Sequence, residues 1–329
     1  MMIDCHAHFV PTTFPEFKAS AGDRWPSAEI DGDLLRVTVQ GKPFRTLERH
    51  AWDLEARRAA LGDRDVAGEV ISPMPELLSY WAAPEDGREF ARHVNAAMLD
   101  FAEPSEGVVK PLAMVPLQDV DLACAELARL REDGFVGVEI GTVVERRRVS
   151  EPEFEPFFSE AASQDLVVFV HAYRPLAVAD LNVPSGWKAT LGFPLELGSV
   201  ATSMIVNGIH ARIPGLKLLF SHCGGVTGAL LGRVSQAWNT RTRLHEELPE
   251  PPQGHAKRFY YDTLTFDPAS LELMLGWVGP ERLVIGTDFP FELQEDPPGR
   301  ALAEVADLDD QERELIYRAN ASALFGFSG

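Results

Sequence analysis

The feature that most constrains the fold of this 329-residue chain is a repeated alternation of short apolar runs with segments of helix length. The runs are apolar throughout, which is typical of parallel strands that are buried on both faces. The eight runs are Met2–His8, Val66–Met74, Val108–Leu117, Phe135–Gly141, Leu166–His171, Leu216–His222, Phe259–Leu264 and Leu283–Thr287. Eight strand–helix units in a chain of this length predict an α/β fold, a (β/α)8 barrel of the TIM type.

Amphipathic segments of helix length accompany these runs. The predicted helices lie near Ala51–Gly62, Asp86–Phe101, Leu122–Glu132, Glu153–Ala162, Ser199–Ala211, Thr227–Glu247, Pro268–Trp277 and Asp309–Leu324. A doubly wound open sheet is the competing architecture, but no Gly-x-Gly-x-x-Gly turn follows the first run. The chain has no low-complexity linker and no solenoid repeat. We therefore expect residues 1–329 to form a single domain.

One segment after the first predicted strand does not fit the repeating pattern. Val10–Ile30 is an irregular stretch rich in Pro, Phe and polar residues. Two strand-like segments, Asp33–Gln40 and Lys42–Leu47, flank Gly41 and predict a small β-hairpin. The sequence therefore predicts an insertion over the barrel, at approximately residues 12–48.

Five polar residues stand at the carboxyl ends of four of these runs. His6 and His8 end the first run, and in a strand residues i and i+2 point to the same face. His171 ends one run, His222 ends the next, and Asp288 directly follows the last. In a barrel of parallel strands, active-site residues gather at the carboxyl ends. We therefore expect these five side chains to meet in one pocket.

Three neutral imidazoles and one carboxylate make a suitable ligand set for one divalent metal ion. Zn²⁺ is the first expectation, and another divalent ion such as Mn²⁺ is the alternative. Taken singly, each residue could instead be a buried histidine bonded to a backbone carbonyl, or an aspartate that caps a helix. Five candidates exceed a four-ligand set, so one of them is expected to have a different task. A histidine such as His222 suits general acid–base catalysis, and Asp288 can both bind metal and accept a proton.

Net charge and cysteine content narrow the class of partner and the compartment. The formal net charge of −20 argues against nucleic acid and anionic membranes as partners. No apolar run has the length of a membrane span, and no secretory signal is visible. The three cysteines, Cys5, Cys124 and Cys223, lack metal-finger spacing and favour a reducing cytoplasm. An anionic substrate would need specific arginines to offset the repulsion of the whole chain.

Several longer motifs of the chain resemble those of a known protein family. They are Ile3–His8 (IDCHAH), Ser79–Asp86 (SYWAAPED), Gly137–Thr142 (GVEIGT), Ser221–Gly225 (SHCGG) and Ile285–Phe291 (IGTDFPF). With these motifs, nearly from end to end, the chain resembles the decarboxylase branch of the amidohydrolase superfamily. The resemblance implies a barrel enzyme that removes CO2 from an unsaturated or aromatic acid without an oxidant. The implied substrate is of the aminocarboxymuconate semialdehyde or hydroxybenzoate type.

The resemblance also implies roles for particular residues. His222 would be the acid/base that activates water or delivers a proton to carbon. Arg45 and Arg233 would bind substrate carboxylate, and Arg233 would reach a neighbouring subunit's site in a homodimer. Arginine suits this task because its fork can hold a carboxylate bidentately. The four implied ligands of a single zinc ion are His6, His8, His171 and Asp288.

The chain departs from close relatives where a substrate pocket is expected. His171 is followed by Ala-Tyr-Arg-Pro, where the relatives have Pro-Trp-Asp-Met, and Arg174 is therefore an added cation. Arg174 could meet an extra anionic group of the substrate or remain a loop charge in solvent. The segment Asp180–Gly192 retains Trp187, a further candidate for substrate binding. Glu139 replaces a usual Gln and could approach the metal from the fourth strand.

Three functions compete at this stage. The leading hypothesis is a metal-dependent, non-oxidative decarboxylase of a small carboxylic acid. The second is a metal-dependent hydrolase of a lactone or related ester, because the same residues could direct water to a carbonyl. The third is a barrel that binds a ligand without catalysis, against which the complete set of candidate ligands and His222 argue.

Overall fold

A barrel of eight parallel strands forms the centre of the protein, as predicted. The structure is a computed structural model and describes residues 1–15, 25–39, 41–178 and 182–327. Part of the predicted irregular stretch (16–24), Gln40, and Asp180 at the start of the pocket segment lie outside the described residues. The barrel strands, in their spatial order, are β1 Met2–Phe9, β5 Val66–Pro73, β6 Val109–Ala113, β7 Gly137–Gly141, β10 Val167–His171, β11 Lys217–Phe220, β12 Tyr260–Asp262 and β13 Leu283–Val284.

Backbone hydrogen bonds join the first strand to the segment that follows the last one. The amide of Cys5 donates to the carbonyl of Ile285 at 2.8 Å, and the amide of His8 donates to that of Phe289 at 2.7 Å. Between them the amide of Asp288 donates to the carbonyl of His6 at 2.8 Å. Closure of the barrel therefore brings Asp288, far away in sequence, next to the histidines of β1.

Helices cover the outside of the barrel. They are α1 Leu54–Asp63, α2 Pro84–Ala102, α3 Val120–Asp133, α4 Glu155–Ser163, α5 Ser185–Val206, α6 Ile209–Arg212, α7 Thr227–Thr240, α8 Leu244–Glu247, α9 Pro252–Ala256, α10 Pro268–Val278, α11 Arg300–Ala303, α12 Asp310–Glu314 and α13 Asn320–Phe325. The predicted helix Thr227–Glu247 is in fact two helices, α7 and α8. The last predicted helix is confirmed, with a π-helical stretch at Leu315–Ala319 between α12 and α13.

The helix after β10 is longer than the sequence predicts. It begins at Ser185 instead of Ser199, and its first two turns are exposed to solvent and contain Trp187. By length and composition alone α5 could cross a membrane, with a mean hydropathy of 1.3 over an 18-residue window of which 44% is buried in the protein. Core helices can share this length and composition, and α5 packs against α7 and α9 in the helical layer of the barrel.

The insertion after β1 is a three-stranded antiparallel sheet instead of a hairpin. Its strands are β2 Ser27–Asp31, β3 Leu34–Val39 and β4 Lys42–Glu48. The added strand β2 was not predicted because it is short and its side chains are almost all exposed, although Ser-Ala-Glu-Ile-Asp alternates polar with apolar residues. Buried apolar residues of β3 and β4 pack against the main core. A further two-stranded ribbon, β8 Val143–Val144 and β9 Arg147–Arg148, follows β7.

A buried ion pair connects helix α1 to the strands that carry the metal-site histidines. The Arg57 guanidinium bonds to Glu69 on β5 at 2.7 Å and donates to the backbone carbonyls of His8 and His50 at 3.2 and 3.1 Å. Both side chains are excluded from solvent. A buried ion pair that is also hydrogen bonded fixes local geometry, and the geometry fixed here includes the backbone of His8.

Candidate metal centre

The two histidines of β1 point into the barrel mouth, and each has one ring nitrogen already engaged. His6 Nδ1 donates to the carboxylate of Asp262 at 2.7 Å, and His8 Nδ1 donates to the carbonyl of Pro73 at 3.2 Å. His171, at the end of β10, similarly donates from Nδ1 to the carbonyl of Ala172 at 2.9 Å. In all three rings this bond leaves the Nε2 lone pair as the available ligand.

These three Nε2 atoms meet one carboxylate. Ligand atoms from His6, His8, His171 and Asp288 all lie within 4.8 Å of one another, and all four residues are buried. Asp288 Oδ1 is 3.0 Å from His8 Nε2 and 3.3 Å from His6 Nε2. The Nε2 atoms of His6 and His171 have no hydrogen-bond partner among the described residues. Buried donors and acceptors are rarely left unpaired, so this geometry fits a divalent metal ion bound by three imidazoles and a carboxylate.

The pKa values of the site indicate that a proton on His6 is held between the carboxylates of Asp262 and Asp288. Burial opposes protonation of His6, but the hydrogen bond to Asp262 and the nearby Asp288 carboxylate outweigh it and raise its pKa to about 10. Burial lowers the pKa of His8 to about 4. For Asp288 burial is outweighed by its close contacts with His6 and His8, which hold its pKa well below the usual range. A metal cation would take the place of the proton on His6, so metal binding competes with protonation and weakens as pH falls.

His222 belongs to the same cluster of rings but not to the ligand set. Its ring centroid is 5.1 Å from those of both His6 and His171, and its Nε2 atom is buried without a hydrogen-bond partner in the described structure. Burial lowers its pKa, so the ring is neutral near pH 7. A neutral imidazole beside a metal site can accept a proton and return it.

The turn that presents His222 is strained, and glycine is required within it. His222 and Cys223 have φ values of 48° and 54°, in the left-handed region that non-glycine residues seldom adopt. Gly225 also has a positive φ, and a Cβ there would lie 2.0 Å from the carbonyl oxygen of Pro194. Burial raises the pKa of the Cys223 thiol well above its usual value, so this cysteine is a packing residue of the turn.

Asp262, at the end of β12, connects the ligand shell to this turn and was missed by the sequence analysis. Besides accepting from His6, its carboxylate accepts from the backbone amides of His222 at 2.9 Å, Cys223 at 2.7 Å and Leu264 at 3.0 Å. Asp262 is fully buried. It therefore sets the orientation of one metal ligand and the strained conformation of the catalytic candidate at the same time.

Replacing Asp262 with asparagine is expected to weaken metal binding by about 10- to 100-fold, because partners that orient a ligand contribute about that much to affinity. The amide keeps the size of the carboxylate but lacks the charge that holds His6. Competition with a fluorescent zinc chelator measures the change. The matched control is Asp267→Asn, since Asp267 caps α10 on the surface and asparagine caps equally well. Equal zinc affinity for Asp262→Asn and wild type would refute the role assigned to Asp262.

The metal cluster opens into a cavity of about 480 Å³. His222 and Asp288 lie in its wall together with Arg45, which the insertion sheet brings to the barrel mouth on β4. The Arg45 guanidinium stacks over the ring of Phe291 at 4.0 Å and lies 3.4 Å from Glu76. Arg45 is therefore placed where a substrate carboxylate can reach it.

The other predicted site residues occupy different positions. Arg174 is exposed and lines neighbouring cavities. Trp187 is 60% exposed near the start of α5, and Arg233 is exposed on α7; neither is among the described residues that line the cavity with His222. Glu139 points into the barrel with both oxygens lacking hydrogen-bond partners among described residues, but it is not one of the four clustered ligands. Burial raises its pKa well above the usual value.

The fold and the site together define a barrel enzyme of the metal-dependent type. The family model described as amidohydrolase matches residues 3–327, and the chain belongs to this family. The predicted resemblance is thereby confirmed.

Curated relatives of the chain are decarboxylases. The chain is 28% identical to a 2-amino-3-carboxymuconate-6-semialdehyde decarboxylase of Dictyostelium discoideum, over 99% of this chain and 92% of the relative. It is also 28% identical to a gamma-resorcylate decarboxylase of Rhodococcus jostii, over 87% of this chain and 92% of the relative. The first of these alignments spans nearly the whole chain.

Solved structures share the fold. An IDCase of Metarhizium anisopliae in apo form superposes with a TM-score of 0.82 at 19% identity, covering 99% of this chain and 97% of that one. A dihydroxybenzoic acid decarboxylase of Polaromonas, solved with manganese and an inhibitor, superposes with a TM-score of 0.76 at 21% identity, covering 99% and 96%. These likenesses confirm the barrel architecture over nearly the whole chain.

Proposed function

We propose that this protein is a metal-dependent decarboxylase that acts without an oxidant on an unsaturated or aromatic carboxylic acid. The observation that carries the proposal is the shared cavity, in which Arg45, His222 and the metal-site carboxylate Asp288 face the same space. Arg45 suits the binding of an acid, His222 suits the transfer of a proton, and Asp288 belongs to the metal cluster. The decarboxylases among the relatives support the same chemistry.

Zinc is the metal we propose, held by His6, His8, His171 and Asp288, with manganese as the alternative. Three imidazoles and a carboxylate suit zinc, and the Polaromonas structure named for its bound manganese supports the alternative. When bound, the ion supplies a Lewis acid that attracts substrate oxygens and stabilises the negative charge left by departing CO2.

Arg45 is proposed to orient the substrate acid. Stacking on Phe291 and the nearby carboxylate of Glu76 hold its guanidinium in place, which reduces the entropy lost on binding. A bidentate contact would keep the scissile carboxylate or a neighbouring acidic group at a fixed position. The apolar remainder of the wall, which includes Phe193 and Leu264, excludes water and suits a ring or a diene.

His222 is proposed to transfer the proton. When the bond to CO2 breaks, its electron pair stays on the substrate, and the carbon that loses CO2 must gain a proton. A neutral His222 can take a proton from water or from an acidic substrate hydroxyl and deliver it to that carbon. The strained turn fixed by Asp262 keeps its ring among the ligand histidines.

Carbon dioxide release from a panel of acids tests the function. Suitable acids are 2,6-dihydroxybenzoate, 6-methylsalicylate and 5-carboxyvanillate, whose decarboxylases are among the similar proteins. We expect CO2 to be released in a ratio of one to one with acid consumed, and a chelator to stop it. A parallel panel of lactones tests the alternative hydrolase, since acid formation without CO2 would contradict the decarboxylase.

We further propose that the protein is a cytoplasmic homodimer that binds a small carboxylic acid. Exposed Arg233 on α7 and the exposed apolar residues Trp187, Leu191 and Leu195 on α5 are compatible with a subunit interface. The three cysteines are free, which suits a reducing compartment. Light scattering on the purified protein measures the oligomeric state, and a monomeric mass would contradict the dimer.

A further inference from the structure

A second cavity opens beside the metal centre. Its volume is about 660 Å³, which is within the usual range of small-molecule sites. Three cationic side chains contribute to its wall: Lys42 from the insertion sheet, Arg174 from the loop after β10, and Lys188 from α5. They lie on three separate elements of the fold, so closure of the tertiary structure creates this positively charged wall.

The second cavity shares part of its wall with the cavity of the metal centre. Ala189 and Phe193 line both. The Phe193 ring centroid lies 6.2 Å from those of His171 and His222, so the shared wall is directly beside the metal centre. Arg174 follows His171 by three residues, which limits the distance between their Cα atoms to about 11 Å. One small molecule is long enough to extend between the two cavities.

Within the described ranges of the chain, no acidic side chain pairs with the three cations of this wall. Among the described residues, no carboxylate oxygen lies within 4.0 Å of Lys42, Arg174 or Lys188, whereas other exposed arginines such as Arg36 and Arg212 have such a partner. The carboxylate in the wall, Glu76, pairs with Arg45. In a chain with a formal net charge of −20, three such cations around one cavity form a local site for an anion.

Arg174 is also held in an uncommon conformation. Its φ is 43°, in the left-handed region, and its guanidinium lies 5.3 Å from the centroid of the Tyr173 ring. Strained residues of this kind cluster at ligand sites, where the surrounding structure maintains the strain. The backbone conformation and the ring contact both belong to a residue that lines the cavity.

We propose that this second cavity is a subsite for a second acidic group of the substrate, bound by Lys42, Arg174 and Lys188. The enzyme would thus select a dianionic acid, with one carboxylate at the metal and Arg45 and the other group at the cationic wall. This inference rests on the proposed function for the place of the first carboxylate. It adds to the proposed function the class of substrate, a dianionic acid, and the residues that select it.

A matched pair of dienoic acids tests the subsite without requiring turnover. Muconate carries a carboxylate at both ends of a diene, whereas sorbate carries a methyl group in place of one of them. Isothermal titration calorimetry on the metal-loaded protein measures the dissociation constant of each. We expect muconate to bind at least about tenfold more tightly than sorbate, because a charge-assisted pair in a partly enclosed site contributes on that order.

Variants assign the preference to the cationic wall. Arg174→Ala and Lys188→Ala should each reduce the muconate-to-sorbate preference severalfold, and the double variant should bring it close to one, with sorbate affinity unchanged. Arg174→Lys should retain part of the preference. The control Arg318→Ala removes one positive charge far along the chain, where Arg318 pairs with Glu314, and should leave the preference intact. Both substituted positions are exposed, so folding should be unaffected, and thermal melting checks this.

Two results would overturn the subsite. One is equal affinity of the wild-type protein for muconate and sorbate. The other is a preference that survives in the double variant, which would make the three cations ordinary surface charges. Neither result depends on CO2 release, so failure of the subsite and failure of the decarboxylase proposal can be told apart. A protein that never releases CO2 but prefers muconate through Arg174 and Lys188 would retain the subsite alone.

Discussion

Replacing His222 with alanine is expected to reduce turnover by about 10²- to 10⁴-fold, the usual contribution of a general acid–base group. The metal should stay bound, because His222 lies outside the cluster of four ligand atoms. We therefore expect turnover to be lost while metal is retained, whereas replacement of a metal ligand would reduce both. Metal content by mass spectrometry and CO2 release on the same preparation measure both.

A matched histidine variant controls for the loss of an imidazole. His93 lies on the outer helix α2 and bonds to the backbone of Thr13, so His93→Ala should keep both metal and activity. Loss of metal along with activity in His222→Ala would contradict the assignment and make His222 a fifth ligand. Unchanged turnover would remove its catalytic role altogether.

Replacing Asp288 with alanine is expected to deplete the purified protein of metal to well below one equivalent. Asp288 is the anionic ligand, and without it three buried neutral imidazoles face a divalent cation with less charge to balance it. Activity should fall with metal content and should not return when metal is added at concentrations that saturate the wild type. The measurement is metal analysis after dialysis, with circular dichroism as a check on folding.

The conservative variant Asp288→Asn refines this prediction. It retains a ligand oxygen and the size of the side chain but loses the charge, so it should bind metal more weakly than wild type and more tightly than Asp288→Ala. A full equivalent of tightly held metal in Asp288→Ala would show that the ligand set is wrong. Glu139, buried and lacking hydrogen-bond partners among described residues, would then become the leading candidate for the fourth ligand.

The sequence predicted the barrel and the metal cluster because both follow from local patterns. Apolar runs of strand length identify buried parallel strands, and the polar residue at the end of a run identifies the barrel mouth. His6, His8, His171 and Asp288 all follow that rule. Asp262 follows it as well, at the end of β12, but it lies within the apolar run Phe259–Leu264 and was read as part of it. The same rule, applied to every strand, would have found it.

Features that depend on contacts between distant segments were not predicted. Strand β2 is exposed along nearly its whole length, so its short polar–apolar alternation marks no buried face, and its pairing with β3 defines it. The early start of α5 was missed because its first turns are exposed and include Gly186. The cationic wall is a further case, since Lys42, Arg174 and Lys188 are ordinary exposed charges in the sequence and become neighbours of one cavity only in the folded chain.

The most direct test of the central claim, a decarboxylase that depends on one metal ion, is a metal titration of the metal-free protein. Zinc or manganese is added stepwise while CO2 release from a substrate found in the acid panel is followed. We predict that activity is absent without metal, rises linearly and reaches its maximum at one equivalent per chain. Full CO2 release from the metal-free protein, or a maximum only at two equivalents, would contradict the account.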